Sequence, residues 1–83
     1  MIDYEYLFAK TVRDKLWENV HGKIFAAVQD DELYVKIQNR TGLVFETTFG
    51  DFANSFINGW TTNEAAVAVL NRYRKFVIGE YFK

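Results

Sequence analysis

The sequence predicts an α+β fold in which helices cover one face of a small antiparallel sheet. The central segment 23–49 contains three stretches in which apolar and polar residues alternate, which is the pattern of half-buried strands. The segments on either side repeat apolar residues every three or four positions, as amphipathic helices do. The sequence has no proline and no low-complexity linker, so we expect one domain over residues 1–83.

The first helix is predicted over residues 3–20. The Asp3 carboxylate can accept hydrogen bonds from the first free backbone N–H groups, which makes it the expected N-cap. An apolar stripe at four-residue spacing marks the buried face and consists of Phe8, Val12, Leu16 and Val20. Gly22 is expected to end the helix, because glycine readily takes the left-handed conformation of a C′ residue.

The three strands are predicted at residues 23–29, 33–38 and 43–49. The register that keeps their apolar residues on one face pairs Val28 with Leu33, which places Asp30 and Asp31 at the tip of the first turn. Aspartate tolerates the left-handed conformations of such turns.

The second turn follows from pairing Ile37 with Phe45. This register requires the three-residue loop 40–42 and puts Gly42 in the left-handed position of a type I turn with a bulge.

Two helices are predicted after the sheet. A short helix is expected at residues 51–58, and a longer one begins after Thr61. The spacing of Thr61 and Glu64 matches a capping box, in which each side chain accepts a hydrogen bond from the other residue's backbone N–H. The long helix is expected to end near Ile78, because Gly79 weakens it.

The composition limits the chemistry that this chain can perform. It has no cysteine and one histidine, which excludes disulfides, thiolate metal sites and multi-histidine metal sites. The sequence contains no phosphate-binding glycine motif, and His21 is expected at a helix end, where an imidazolium suits the helix dipole. We therefore expect a non-enzyme without a cofactor.

The charge and the hydropathy bear on location and partners. Ten basic residues against eleven acidic residues argue against a general polyanion binder. No apolar run approaches the roughly 20 residues that span a bilayer, and the N-terminus lacks the pattern of a secretory signal. The sequence predicts a cytoplasmic protein without membrane contact.

Two surfaces of the predicted sheet are candidates for binding a protein partner. The first is the acidic tip of the first hairpin, formed by Asp30, Asp31 and Glu32. The second is an apolar island on the face away from the helices, formed by Phe25, Tyr34 and Val44. Contiguous exposed apolar patches mark interaction sites. The simpler alternatives are a solvated turn and cross-strand packing without a partner.

A basic cluster in the last helix is a candidate nucleic-acid contact, formed by Arg72, Arg74 and Lys75. Basic residues with interleaved aromatic residues can contact phosphates and stack on bases. Helical geometry, however, points Tyr73 toward the core and Arg72 toward water. The alternative is a solvated last turn whose cations suit the helix C-terminus.

The C-terminal third of the chain carries a family resemblance. The residues Phe52, Ser55, Phe56, Asn58, Gly59 and Trp60, in the pattern F-x-x-S-F-x-N-G-W, precede the last helix. This segment resembles one in a type II-A anti-CRISPR family of phage Cas9 inhibitors, and the order of elements is also similar. The sequence from Phe56 to Lys83 also looks like the ending of small prophage proteins of Gram-positive bacteria.

The resemblance implies a protein partner and no catalysis, because members of that family present acidic side chains to the DNA-reading site of Cas9. The leading hypothesis is a small phage or mobile-element accessory protein that acts by protein–protein contact, with a homodimer left open. The alternatives are Cas9 inhibition through the acidic tip and nucleic-acid binding through the basic cluster.

Overall fold

The computed structural model describes residues 3–50 and 61–82 and shows the predicted α+β class. Its elements, in chain order, are α1 (Tyr4–Trp17), β1 (Gly22–Gln29), β2 (Glu32–Asn39), β3 (Val44–Phe49) and α2 (Thr62–Tyr81). The short helix predicted at residues 51–58 lies outside the described residues.

Helix α1 begins as predicted and ends earlier than predicted. The Asp3 carboxylate accepts a hydrogen bond from the Tyr6 N–H at 3.0 Å, which confirms the N-cap. The helix stops at Trp17, and the N–H groups of Asn19 and Val20 both donate to the Leu16 carbonyl in a tightened last turn. Val20 is nevertheless buried, so the apolar spacing continues beyond the helix itself.

Gly22 was expected to be the C′ residue of α1, and this expectation is wrong. Gly22 is the first residue of β1, where it lies opposite Asn39 on β2. A Cβ atom at this position would collide with the backbone carbonyl oxygen of Gln38. The position requires glycine because two backbones approach closely, not because a helix ends there.

The sheet is an antiparallel meander in the order β1-β2-β3. Val28 pairs with Leu33, and the β1–β2 register is the predicted one. The loop that joins these strands consists of Asp30 and Asp31, whose φ angles are 52° and 61°. Two consecutive left-handed residues define a type I′ hairpin, and aspartate is one of the residues that tolerates it.

The second hairpin also has the predicted register, with Ile37 opposite Phe45. Gly42 has a φ of +91°, and its N–H donates to the Asn39 carbonyl at 3.1 Å. The Asn39 side chain holds the loop from the other side, because its Oδ1 accepts hydrogen bonds from the N–H groups of Thr41 and Leu43. The loop forms because Gly42 takes the left-handed conformation and the Asn39 side chain accepts hydrogen bonds from two backbone N–H groups.

Helix α2 begins at the predicted cap and runs past the predicted end. Thr61 Oγ1 accepts a hydrogen bond from the Glu64 N–H at 3.1 Å. The helix continues through Gly79 to Tyr81, whose hydroxyl donates to Thr41 Oγ1 at 3.3 Å in the β2–β3 loop. This contact ties the last turn of α2 to the sheet, which offsets the weak helix propensity of glycine.

Both helices lie on the same face of the sheet. Helix α1 packs on β1, and α2 packs on β3 and against α1. The fully buried side chains of the core come from both helices and from β2, and the largest are Val12, Leu16, Leu33, Val35, Ile37 and Val69. No described helix covers the opposite face, which we call the open face.

Candidate functional site

The open face brings together two of the three residues predicted to form an apolar island. The rings of Phe25 and Tyr34 meet edge to face, with 6.0 Å between their centroids. Phe25 is 55% exposed. Val44 is also exposed, but it lies opposite Gln38 on the far edge strand, whereas Phe25 lies opposite Lys36. The register therefore separates Val44 from the aromatic pair.

Tyr34 also interacts with a charged residue of the open face. Glu46 is diagonal to Tyr34 across the β2–β3 pair. Partial burial raises the pKa of the Tyr34 hydroxyl above its usual value of 10.0, and the charge of Glu46 and its hydrogen bond with Tyr34 raise it further. Tyr34 is thus a neutral hydrogen-bond donor at neutral pH, beside an apolar ring.

The acidic tip is displayed at the end of the β1–β2 hairpin. Asp30, Asp31 and Glu32 are all exposed. Among the described residues, no group of three or more histidine, cysteine or acidic side chains is arranged to hold a metal ion. What the tip offers chemically is negative charge on a turn whose backbone conformation is fixed by two left-handed residues.

All three residues of the basic cluster are exposed on α2, but β3 engages one of them. The Arg72 guanidinium donates to Thr47 Oγ1 at 2.8 Å and to the Thr48 carbonyl at 3.0 Å. It also lies 3.9 Å from the centroid of the Phe49 ring. Arg72 is exposed, as the sequence pattern predicts, and in addition it connects α2 to β3.

The other two members of the cluster, Arg74 and Lys75, are exposed on α2. Because Arg72 is engaged by the sheet, a phosphate would have to compete with those contacts. This weighs against nucleic-acid binding by the three residues together.

A groove that the sequence interpretation missed runs along the free edge of β1. One wall is the outer flank of α1, formed by Tyr6, Lys10, Arg13 and Trp17. The other wall is β1 itself, from Gly22 to Gln29. We call it the β1-edge groove. The spacing of the four helix residues was a visible signal, but only the fold shows that their flank faces a strand edge.

His21 is exposed in the link between α1 and β1 rather than within the last turn of the helix. In residues 3–50 and 61–82, every buried side-chain nitrogen or oxygen has a hydrogen-bond partner, and no polar or charged residue is buried. In this part of the chain, the candidate functional sites are therefore exposed surfaces and not buried polar clusters.

The fold and these surfaces define a small two-layer α+β protein. Within its described part, neither helix is long and apolar enough to cross a membrane. Comparisons with protein-family models, with curated proteins and with solved structures found no match to this chain.

Proposed function

We propose that this chain is a non-catalytic protein-interaction module. The observation that carries the proposal is the open face, on which an exposed Phe25 ring packs against a half-buried Tyr34 ring. Aromatic residues are enriched in the cores of protein interfaces, where a large rigid side chain buries much area at little entropic cost. Charged residues of the same face, Lys36 and Glu46, supply a polar rim beside the pair.

The biological setting is proposed from the sequence. The resemblance of residues 52–60 and 56–83 to phage and prophage proteins supports a small accessory protein of a phage or mobile element. Such a protein would act in the cytoplasm of the bacterial host.

The test removes the aromatic pair and keeps the fold. A tagged wild-type protein is used to capture host proteins, in parallel with the variant Phe25→Ser/Tyr34→Ser. The matched control is Val67→Ser, which changes a side chain that is 51% exposed on α2, away from the sheet. We expect a defined partner to be retained by the wild type and by Val67→Ser and to be lost with the double variant. Equal capture by all three proteins would contradict the proposal.

A second candidate function is Cas9 inhibition through the acidic tip. It is favoured by the exposure of Asp30 and Asp31 on a type I′ turn. The variant Asp30→Asn/Asp31→Asn removes both charges and keeps the turn, because asparagine also takes left-handed conformations. In a Cas9 cleavage assay, inhibition by the wild type and its loss in this variant are the expected results. A wild type that does not inhibit would eliminate this function.

A further inference from the structure

The edge of β1 that faces away from β2 presents free backbone groups. Gln29 and Glu32 flank the two-residue loop and form a hydrogen-bonded pair. Backbone hydrogen bonds to β2 then recur at every second residue of β1, counted back from Gln29. The N–H and C=O groups of Ile24, Ala26 and Val28 therefore point outward. Within residues 3–50 and 61–82, these groups have no other hydrogen-bond partner.

Within the part of the chain that the structure describes, this edge lacks the usual protection against strand addition. Exposed edges are normally blocked by proline, by a bulge, or by charged side chains along the strand. The segment from Ile24 to Val28 contains only aliphatic residues and Phe25, and its register with β2 is uninterrupted. Lys23, which precedes this segment, is the one charged residue within β1.

The helix wall of the β1-edge groove offers aromatic contact and positive charge. Tyr6 and Trp17 are 66% and 63% exposed, and Lys10 and Arg13 lie between them along the helix. The wall thus provides stacking surface at two points above the free strand edge.

We propose that the β1-edge groove binds an extended segment of a partner protein as a fourth strand, with carboxylates at the end of that segment that lies beside Gly22. The proposal rests on the proposed function, adds a second contact surface beside the open face, and specifies the chemistry of the partner. Strand addition obtains affinity from main-chain hydrogen bonds and specificity from the side chains of the groove.

The distribution of charge along the groove determines where the carboxylates lie. Arg13 and Lys23 line its end near Gly22, and Asp3 and Glu5 line its end near Gln29. Arg13 also contacts Asp14 at 3.5 Å, but both side chains are about half exposed, and such pairs contribute little. The guanidinium is therefore available to a carboxylate of the bound segment.

A second copy of this chain meets an obstacle at the same edge that a lone segment does not. Pairing β1 with its copy would set the two strands about 4.8 Å apart. Because α1 packs on β1, the same pairing would also bring the α1 helices of the two copies together, and packed helices need about 8–10 Å between their axes. A lone extended segment carries no helix and avoids this constraint.

The experiment uses three synthetic peptides with the wild-type protein. Thr-Val-Thr-Val-Glu-Val-Glu and its reverse, Glu-Val-Glu-Val-Thr-Val-Thr, carry the carboxylates at opposite ends and so cover both strand directions. Thr-Val-Thr-Val-Lys-Val-Lys is the charge-reversed control. Binding is followed by amide chemical shifts and by hydrogen exchange of the backbone N–H groups.

With one of the two acidic peptides we expect new protection of the N–H groups of Ile24, Ala26 and Val28. The N–H groups of Phe25 and Ala27 already bond to β2, and their exchange should change little. The lysine peptide should bind at least about tenfold more weakly, because it places like charges beside Arg13 and Lys23. No shift with either acidic peptide at millimolar concentration, or shifts confined to the open face, would overturn the proposal.

Two variants test the groove by independent routes. Ala26→Pro removes a central N–H from an edge at which proline is structurally tolerated, and it should abolish binding. Arg13→Glu/Lys23→Glu should lower the affinity for the acidic peptide roughly tenfold. The control variant Arg74→Glu/Lys75→Glu on α2 should leave that affinity unchanged. Unaltered binding by Ala26→Pro would overturn strand addition.

The two proposals can fail separately. If Ala26→Pro still captures the host partner that Phe25→Ser/Tyr34→Ser loses, the interaction function stands and the strand-addition inference fails. If neither variant changes capture, the proposed function fails as well.

Discussion

Gly42 holds the β2–β3 hairpin in a conformation that other residues resist. Its φ is +91°, and apart from its chain neighbours no described residue has a heavy atom within 4 Å of the position that a Cβ would take. Gly42→Ala therefore introduces backbone strain without a clash, and we expect a loss of about 1–2 kcal/mol in the free energy of unfolding. Urea denaturation measures this loss.

Gly79 is the matched control for that change. It lies within α2, and a Cβ there would also meet no described residue within 4 Å beyond its chain neighbours and the backbone of its own helix. Gly79→Ala should raise the free energy of unfolding by about 0.5–1 kcal/mol, because alanine loses less conformational entropy in a helix. The same substitution thus has opposite signs at the two glycines, and equal effects would contradict the assigned turn.

Tyr34 makes stability depend on pH in the alkaline range. Its pKa is raised in the folded protein by partial burial and by Glu46, so the folded state holds the proton more tightly than the unfolded state. The stability that this provides is fully present below the unfolded pKa of about 10 and is lost as pH rises through the folded pKa. Tyr34→Phe should remove this part of the decrease in the free energy of unfolding at alkaline pH.

The contribution of Glu46 can be measured separately. Glu46→Gln removes the charge, so the pKa of Tyr34 should fall while partial burial still keeps it above the usual value. The tyrosinate absorbance of each protein, minus that of its Tyr34→Phe counterpart, isolates Tyr34 from the other four of the five tyrosines. An unchanged midpoint in Glu46→Gln would show that burial alone raises the pKa.

At the scale of elements, Arg72 joins α2 to β3. Its guanidinium donates two hydrogen bonds to β3 and stacks on the Phe49 ring. Arg72→Lys keeps the charge but loses the planar group, and we expect about 1 kcal/mol less stability by thermal unfolding. Arg74 makes no such contact with the described residues, so Arg74→Lys should stay within about 0.5 kcal/mol of the wild type. Equal losses of stability in Arg72→Lys and Arg74→Lys would contradict the link between α2 and β3.

The sheet was predictable from the sequence because its signals are local. Alternation of period two fixed which residues of each strand share a face, and Gly42 selected the loop length that agrees with that alternation. Asp3 and Thr61 were likewise identified as caps by residue type and by the pattern that follows them.

The errors arise where a distant contact decides the outcome. Val20 continues the apolar spacing of α1, and for this reason the helix was predicted to extend to residue 20. The helix ends at Trp17, and Val20 is buried after the chain has turned. Gly22 is required by the backbone of Gln38, and Tyr81 is anchored by Thr41. The β1-edge groove needs the relative position of α1 and β1, which no local pattern supplies.

At the scale of the whole molecule, the described helices and the sheet share one hydrophobic core. Leu16 of α1 and Leu33 of β2 are both 0% exposed and belong to the same buried cluster. Leu16→Ala and Leu33→Ala should each cost about 2–5 kcal/mol, a large part of the roughly 5–15 kcal/mol that stabilises a domain. Leu7→Ala changes a side chain that is 51% exposed and should cost less than about 0.5 kcal/mol.

The shape of the transition tests whether this is one cooperative unit. Because each leucine contacts the same core, either variant should lower the midpoint temperature of a single unfolding transition. Far-ultraviolet circular dichroism and aromatic fluorescence should report the same midpoint. If Leu16→Ala melted the helical signal while the fluorescence transition stayed in place, the helices and the sheet would be separate units. The β1-edge groove would then lose its helix wall before its strand edge, since α1 packs on β1 through that shared core.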